Sequence, residues 1–410
     1  MTLLQKKYSE QPGYQKSVYR RLPAGIWGLG FVSMFMDASS ELVHSILPIF
    51  MSMVLGTPVI TIGIIEGIAE GTASVTKVFS GMISDYCGKR KFLAVAGYSL
   101  SAITKPVFAL APTIGWVFGA RFTDRIGKGI RGAPRDAMVA DIVPADLRGA
   151  AYGLRQALDS VGAFMGPLIA VIFMIRFHDN IRSVLWVAIV PAFIAVFLLI
   201  LTVHEPECRE RSSNSQNRLR PVDILRLPVR YWLVVVLGAV FTLARFSEAF
   251  LILRAQDVGL AVGWVPIIMV VMNIFYSACA YPAGAAADRY PARTILIFGL
   301  AILIVADIIL ALTVSPWITF VGAAFWGLHM AFTQGLLSKL IADTAPVDLR
   351  GTAFGVFNLV SGIALFLASF IAGELWTAFG APATFITGAL FAFIAITGLL
   401  FISSETRSQG

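Results

Sequence analysis

A segment of fourteen residues occurs twice in this chain. Ala140–Gly153, ADIVPADLRGAAYG, returns 202 residues later as Ala342–Gly355, ADTAPVDLRGTAFG. A second pattern, Gly81-x-x-x-Asp85, returns as Gly284-x-x-x-Asp288 at nearly the same offset. Because this offset is close to half of the 410 residues, the chain consists of two copies of one unit laid end to end.

The composition places both units in a membrane. Hydrophobic residues make up 57% of the chain and charged residues 14%, whereas soluble domains carry about 25% charged residues. A transmembrane helix needs about 20 mainly apolar residues. Twelve such stretches are predicted, at residues 24–54, 59–83, 92–111, 114–139, 150–175, 183–203, 231–253, 263–287, 294–314, 316–341, 351–376 and 383–403. The predicted fold is all-α, a polytopic membrane protein with two pseudo-symmetric six-helix bundles.

The predicted spans also define the domain organisation. The only long polar stretch between spans is EPECRERSSNSQNRLRPVDILRLPVR, which reads as a linker. The expected parts are a cytoplasmic N-terminal segment at 1–23, an N-terminal bundle at 24–204, a cytoplasmic linker at 205–230, a C-terminal bundle at 231–403 and a cytoplasmic tail at 404–410.

The distribution of basic residues predicts the orientation. Lysines and arginines concentrate before the first span, after the second and in the linker, while Arg176, Arg182 and Arg254 fall on the opposite side. Cytoplasmic loops carry an excess of such residues, so both termini are expected in the cytoplasm. The first 23 residues are polar and show no cleavable signal. The expected location is the inner membrane of a bacterium.

Several other function classes are disfavoured. The net charge of +8 follows the positive-inside pattern, so nucleic-acid binding is not indicated. The four histidines form no HExxH pair and the three cysteines are scattered, so neither a metal site nor a disulfide framework is expected. No Walker sequence is present. We therefore expect no cofactor and no enzyme activity.

The loop after the second span carries a recognisable signature. Gly81-Met-Ile-Ser-Asp85-Tyr-Cys-Gly88-Lys89-Arg90 resembles the G-x-x-x-D-R-x-G-R-R motif of the major facilitator superfamily, with Tyr in place of the first Arg. A degenerate copy follows span eight, at Gly284, Asp288 and Arg289. With the duplication and the twelve spans, the resemblance covers the whole chain. It implies that this motif latches the outward-facing state on the cytoplasmic side.

Two further patterns in spans four and five fit the same family. Arg125-x-x-Lys128-Gly129 resembles an R-x-x-Q-G pattern, with Lys replacing Gln. The run from Gly162 through Gly166 to Pro167 resembles the G-x-x-x-G-P motif of exporters that exchange substrate for protons. The alternative for span five is ordinary small-residue packing with a proline kink.

Acidic residues inside the spans are the candidates for proton coupling. Ionisable groups are costly at membrane depth and tend to be functional there. Span one holds Asp37, Glu41 and His44 on one face, and span two holds Glu66 and Glu70 four residues apart. Aligning the two copies places Glu248 of span seven opposite Glu41. The predicted proton-coupling residues are Asp37, Glu41, Glu66, Glu70 and Glu248, and a static ion-pair network is the alternative.

Buried cations and their neighbouring acids are the candidates for substrate binding. Guanidinium groups bind carboxylates and phosphates through paired hydrogen bonds. The candidate substrate-binding residues are Arg125, Arg155 and Arg245, with Asp124 and Asp159 beside them. Internal salt bridging is the competing interpretation for every one of these arginines.

These observations together predict a secondary active transporter. The expected activity is proton-coupled efflux, by antiport, of a small organic molecule such as a drug, siderophore or metabolite, and the buried arginines favour an anionic one. The alternatives are a proton symporter that takes up an organic anion, an uncoupled flippase and an intramembrane enzyme. The expected partners are the lipid bilayer, protons and the substrate, with the protein as a monomer.

Overall fold

The computed structural model describes residues 22–87, 89–144, 147–203, 227–346 and 349–407, and these form an all-helical protein. A π-helical turn, Phe50–Val54, continues the first helix, and a 3₁₀ turn at Val262–Trp264 precedes the tenth. In chain order the helices are α1 (Ala24–Ile49), α2 (Val59–Cys87), α3 (Arg90–Leu110), α4 (Ile114–Ile142), α5 (Arg148–Arg176), α6 (Ile181–Val187), α7 (Ile189–Thr202), α8 (Val229–Leu243), α9 (Ala249–Asp257), α10 (Ile267–Arg289), α11 (Ala292–Leu312), α12 (Pro316–Thr344), α13 (Arg350–Phe379) and α14 (Ala381–Arg407).

Helical segments lie at the positions of all the predicted spans. Eight of them, within the described residues, are long and apolar enough to cross a membrane: α2, α3, α5, α6 with α7, the 3₁₀ turn with α10, α11, α13 and α14. The helix α4 does not meet that criterion because it carries many charged residues. Within the described residues the structure thus supports eight of the twelve predicted crossings, and the other four stay a prediction.

Two predicted spans are not continuous helices. Span six divides at Ala188 into α6 and α7, three residues before Pro191, whose missing N–H removes a helical hydrogen bond. The hydroxyl of Ser39 donates to the carbonyl of Ala188, at the point of division, at 2.6 Å. Span seven, predicted as one helix at 231–253, is interrupted between Leu243 and Ala249, and this corrects the sequence-based prediction.

The interruption of span seven is stabilised by two serines. The backbone N–H of Ser247 donates to the hydroxyl of Ser369 on α13 at 3.2 Å. The hydroxyl of Ser247 in turn accepts from the N–H of Ala249 at 3.3 Å. Backbone groups inside a membrane must find partners within the protein, and neighbouring side chains supply them here. No local sequence signal identifies Ser369 as that partner.

The helices pack with the pseudo-symmetry that the duplication predicts. In the first half α1 packs on α5 and α7, α3 on α4, and α2 on α4. The second half repeats this arrangement with α8 on α13 and α14, α11 on α12, and α10 on α12. Many large apolar side chains remain exposed on the outside, among them Trp116, Phe197 and Trp317, as expected for a surface that faces lipid.

The two halves meet where α2 lies against α13 and α5 lies against α10. Small residues allow the first pair to approach closely. A Cβ atom placed on Gly67 would lie 3.0 Å from the backbone of Phe366, and one on Gly71 would lie 3.3 Å from the carbonyl of Gly362. In the second pair Asn273 donates to the carbonyl of Ala163 at 3.1 Å. The two contacts are equivalent in the duplicated fold, because each joins the second span of one half to the fifth span of the other half.

Candidate functional site

A layer of ion pairs lies among α2, α3 and α4, which we call the buried charge layer. Arg121 donates to Glu66 at 2.6 Å, and both side chains are almost completely buried. Arg125 lies 3.3 Å from Glu70. Because α2 and α4 pack along each other, the i,i+4 spacing of Glu66 and Glu70 matches that of the two arginines. The matched spacing explains why both pairs form.

The same layer extends to α1 and α3 through a lysine. The ammonium of Lys105 donates to Asp124 at 3.0 Å and to the hydroxyl of Ser40 at 3.3 Å. Lys105 and Asp124 are both buried, so each charge has a partner close by, as a buried charge requires. Asp124, a predicted substrate-site residue, pairs with Lys105 in this conformation.

His44 joins α1 to the layer. Its Nδ1 lies 3.5 Å from Glu41 and its Nε2 lies 3.9 Å from Glu66. The histidine is buried, whereas the side chain of Glu41 is 22% exposed. The imidazole lies between two carboxylates and thus connects the buried charge layer to the exposed side of α1. Only the tertiary structure reveals this position of His44.

The exposed side of this site, which we call the Lys128 face, consists of Lys128 with Asp37, Glu41 and Glu70. Lys128 is exposed although it lies in the middle of α4, and the side chain of Glu70 is 27% exposed. All three carboxylates lie within electrostatic range of Lys128. Since ionisable groups are costly to expose to lipid, we infer that this face lines a water-accessible space.

Two members of the Lys128 face have no close partner of opposite charge. Among the described residues, no carboxylate oxygen lies within 4 Å of the ammonium of Lys128, and no basic nitrogen lies that close to Asp37. Lys128 was not singled out as a binding residue in the sequence. The available signal was its position in the resemblance to R-x-x-Q-G, where it replaces a neutral glutamine.

A second group of ion pairs lies toward the predicted cytoplasmic end. Arg155 donates to Asp159 at 2.7 Å and lies 3.7 Å from Asp136. Arg135 lies 3.2 Å from Asp136 and donates to the hydroxyl of Ser33 at 3.0 Å. Asp136 therefore connects α4 to α5, a contact that the spacing of Arg155 and Asp159 alone did not reveal.

In the C-terminal half the predicted pair lies in the interruption of span seven. Arg245 lies 3.3 Å from Glu248, and both side chains are partly exposed, at 24% and 18%. The two residues were expected on one face of a continuous helix, and they pair instead across the non-helical segment between α8 and α9. Each predicted substrate-binding arginine thus has a carboxylate partner in this structure.

The predicted gating motif is described only in part. Gly81 and Asp85 lie in the last turns of α2, Gly88 falls outside the described residues, and Lys89 precedes α3. Arg90 forms an ion pair with Asp141 and donates to the carbonyl of Ala137 at 3.1 Å. The second copy, at Gly284, Asp288 and Arg289, lies in the last part of α10. The side chains of Asp85, Asp288 and Arg289 are outside the described part of the structure.

The predicted kink motif in α5 packs on α1. A Cβ atom on Gly166 would lie 2.6 Å from the carbonyl of Ala38, and Gly162 approaches the carbonyl of Met34 as closely. Pro167 lies inside the continuous helix α5. These glycines bring α5 against the helix that carries Asp37 and Glu41, so small-residue packing is part of what the motif does.

The described residues do not bring together three metal-ligating side chains. A cavity of about 400 Å³ lies between α3 and α4 and is lined by Trp116, Gly119 and Thr123. It lies in the outer part of both helices and contains none of the ionisable residues of the Lys128 face. We place the candidate site at the Lys128 face because the charged residues converge there.

Two pseudo-symmetric helical bundles with ion pairs inside their spans are an architecture typical of membrane transporters. The chain belongs to the Major Facilitator Superfamily, whose family model matches residues 29–273 and 249–410. It is 31% identical to an uncharacterized MFS-type transporter of Methanocaldococcus jannaschii, with 93% of this chain and 96% of that protein covered.

Two further proteins are similar to the chain. It is 23% identical to the class C tetracycline resistance protein of Escherichia coli, over 68% of this chain and 72% of that protein. The crystal structure of the nucleoside transporter NupG superposes with a TM-score of 0.75 at 15% identity, covering 92% of this chain and 98% of that one. The second likeness concerns the fold alone.

Proposed function

We propose that this protein exports a small organic molecule in exchange for protons. The observation that carries the proposal is the Lys128 face, where Asp37, Glu41 and Glu70 lie within electrostatic range of Lys128 in the middle of α4. Charged groups are costly in such a position and are typically retained where ions or substrates bind. The face combines carboxylates that can carry protons with partial exposure to solvent.

The coupling follows from competition at these carboxylates. A substrate that presents a cationic or hydrogen-bond-donating group to a carboxylate competes with a proton for the same oxygens. Each ligand then weakens the binding of the other by the same factor. We assign proton coupling to Asp37, Glu41, Glu66 and Glu70, with Glu248 as the counterpart in the second half.

The arginines have a positioning role in this proposal. Arg125 holds Glu70, Arg155 holds Asp159, and Arg245 holds Glu248. In the deprotonated state each arginine holds its acid in position for the substrate, and a proton that loads onto the acid breaks that ion pair. Asp124 and Asp159 are then substrate-site acids whose charges are balanced by Lys105 and Arg155.

Export is supported by two observations that are independent of the charges. One relative of the chain is named for tetracycline resistance. The Gly162–Pro167 motif resembles that of exporters that exchange substrate for protons, and it packs α5 on the acidic helix α1. The basic linker and N-terminal segment favour a bacterial inner membrane with both termini in the cytoplasm.

Uptake of an organic anion with protons is a second candidate, and the unpaired Lys128 favours it. An anionic group bound at Lys128 would lie beside three carboxylates and would raise their affinity for protons. Anion and proton would then bind together rather than compete, which is the requirement for symport. The charge of the substrate thus decides between the two candidates.

Proteoliposomes with an internal pH indicator test both candidates. Ethidium serves as the cationic probe and carboxyfluorescein as the anionic probe, each applied as a concentration gradient without an imposed pH gradient. Exchange predicts that the protons move against the probe, whereas symport predicts that they move with it. Probe transport without any proton movement would contradict both proposals.

The variant Glu41→Gln sharpens this test. It should abolish proton-driven transport, because the side chain can no longer carry the proton, while exchange of probe for probe persists. Glu374→Gln is the matched control, since Glu374 is an exposed acid at the far end of α13. Proton-driven flux in Glu41→Gln equal to that of the wild type would remove Glu41 from the coupling mechanism.

A further inference from the structure

Three buried polar side chains without partners lie around the interruption of span seven. Both carboxylate oxygens of Asp307 on α11 lack a hydrogen-bond partner within the described residues, and the residue is 0% exposed. The same holds for the ring nitrogens Nε1 of Trp326 and Nε2 of His329, both on α12 and both completely buried. We call these three residues the Asp307 cluster.

The cluster is arranged around the last turn of α8 and the interruption that follows it. His329 stacks on Phe241 with ring centroids 5.5 Å apart, and Trp326 packs on Phe246 at 5.3 Å. A Cβ atom on Gly388 would lie 2.7 Å from Oδ2 of Asp307 and 3.4 Å from the carbonyl oxygen of Ala244. The carboxyl group therefore lies close to backbone that is not part of a helix.

Among the side chains that the structure describes, none forms an ion pair with Asp307. Arg245 in the interruption lies 3.3 Å from Glu248. Arg254 on α9, which reaches α11, donates to the carbonyls of Leu310 and Thr313 and pairs with Asp257. The other charged residues on the helices packed against α11 lie toward the opposite end of those helices: Asp288 and Arg289 on α10, Lys339 and Asp343 on α12, and Glu405 and Arg407 on α14.

An ionised carboxylate without a partner is strongly disfavoured in a buried site. This environment therefore favours the neutral, protonated form of Asp307 in this conformation. His329 is the titratable group on the facing helix, and its Nδ1 is bonded to the carbonyl of Gly299 at 2.8 Å. Asp307 lies beside the interruption of span seven, and discontinuous helices in transporters are typically found at ion sites.

We propose that Asp307 is a further proton-carrying residue of this protein, loaded in this conformation and unloaded when span seven rearranges. The inference rests on the proposed proton coupling and adds a completely buried site in the C-terminal half, apart from Glu248. The ligand is a proton, bound to a carboxylate oxygen of Asp307. The Lys128 face and the Asp307 cluster then occupy opposite halves of the duplicated fold.

Infrared spectroscopy of the purified protein in lipid tests the protonation directly. Subtracting the spectrum of Asp307→Asn from that of the wild type should reveal the C=O band of a protonated carboxylic acid at neutral pH. The band should disappear on titration to alkaline pH. Asp141→Asn is the matched control, because Asp141 is paired with Arg90 and should contribute no such band at neutral pH.

Two spectroscopic results would overturn the proposal. Absence of the band at every pH would mean that Asp307 is charged. A higher thermal unfolding temperature of the protein in sodium salts would then identify a metal ion as the ligand of Asp307. A band that persists at every pH would mean that the proton is never released. If Asp307→Asn fails to fold, Asp307→Glu replaces it, because a longer side chain shifts the band without removing the carboxyl group.

Transport measurements supply a second, separate readout. In proteoliposomes Asp307→Asn should move fewer protons per probe molecule than the wild type and should depend less on pH. An unchanged proton count in a folded variant would contradict the proposal. If the wild type itself moves no protons, the proposed exchange function fails, while the infrared titration still decides whether Asp307 binds and releases a proton.

Discussion

Lys128 is an exposed lysine in the middle of α4, and its charge has a measurable consequence. We predict that Lys128→Gln, which introduces the residue of the family pattern, weakens binding of an anionic substrate by about tenfold or more. A hydrogen bond to a charged group contributes about 1.5–3 kcal/mol, and 1.4 kcal/mol corresponds to a factor of ten. Concentration-dependent uptake of carboxyfluorescein measures the change.

Lys128→Arg is the control for this prediction because it retains the positive charge. It should bind the anion more tightly than Lys128→Gln does. Equal affinities in the wild type and in Lys128→Gln would show that the ammonium does not contact the substrate.

The pair formed by Arg121 and Glu66 also makes a prediction at the level of single residues. Arg121→Gln leaves the completely buried carboxylate of Glu66 without its closest partner. The variant should lose about 3–5 kcal/mol of stability, because breaking a buried pair strands a charge. The thermal unfolding temperature in detergent, compared with that of the wild type, reports the loss.

The double variant Arg121→Gln/Glu66→Gln distinguishes a structural role of this ion pair from a role in proton transport. It should recover most of the stability, since no charge is left unpaired. If Glu66 carries protons, the double variant folds and still fails in proton-driven transport. Recovery of both stability and proton-driven transport would assign this pair a structural role alone.

At the scale of helices, the contact between α1 and α5 depends on glycine. Gly166→Ala would place a methyl group 2.6 Å from the carbonyl of Ala38 and 2.7 Å from the backbone nitrogen of Leu42. Since this backbone cannot yield without moving the helix, we expect a loss of about 1–3 kcal/mol. Gly153→Ala in the same helix is the control, because its Cβ would meet open space.

Thermal unfolding of the two variants provides the comparison. Gly166→Ala should unfold at a lower temperature than the wild type, and Gly153→Ala should not. If both variants unfold at the same temperature as the wild type, the close packing of α5 on α1 does not limit stability.

The helices themselves were largely predictable, and their interruptions were not. Apolar stretches of spanning length predicted the helices to within a few residues, because a chain in lipid must satisfy its backbone groups locally. Pro191 offers a local reason for the division at Ala188. The interruption of span seven has no such signal, since its backbone partner, Ser369, lies on a different helix.

At the scale of the whole molecule, the two halves must move relative to each other for transport. Ser52 at the end of the first span donates to Gln256 on α9 at 3.3 Å, so this contact joins the halves. We predict that a short thiol cross-linker between cysteines at positions 52 and 256 abolishes transport. Alternating access requires the halves to separate at each end in turn.

The experiment uses a background in which Cys87, Cys208 and Cys279 are replaced. Cysteines at positions 25 and 142 form the control pair, because α1 and α4 belong to the same half and a Cβ on Gly25 would lie 3.7 Å from Ile142. Cross-linking this pair should leave transport intact. Undiminished transport with the 52–256 link in place would mean that this end does not open.

The sequence by itself determined the duplication, the membrane environment, the family and the residues from which the site is built. These properties are local or additive: hydropathy, spacing along a helix and a repeated motif do not depend on how helices pack. The positions of Glu41, Glu66, Glu70 and Arg125 inside spans therefore followed from the chain alone.

The tertiary structure alone decided which charge meets which. Helix rotation and neighbouring helices bring Glu66 to Arg121, Asp124 to Lys105 and Asp136 to Arg155, while Lys128 stays exposed. They also leave Asp307 buried beside the interruption of span seven, with no hydrogen-bond partner in the described part of the chain. Pairing depends on distances of a few ångströms between helices that are distant in sequence, and no local pattern encodes those distances.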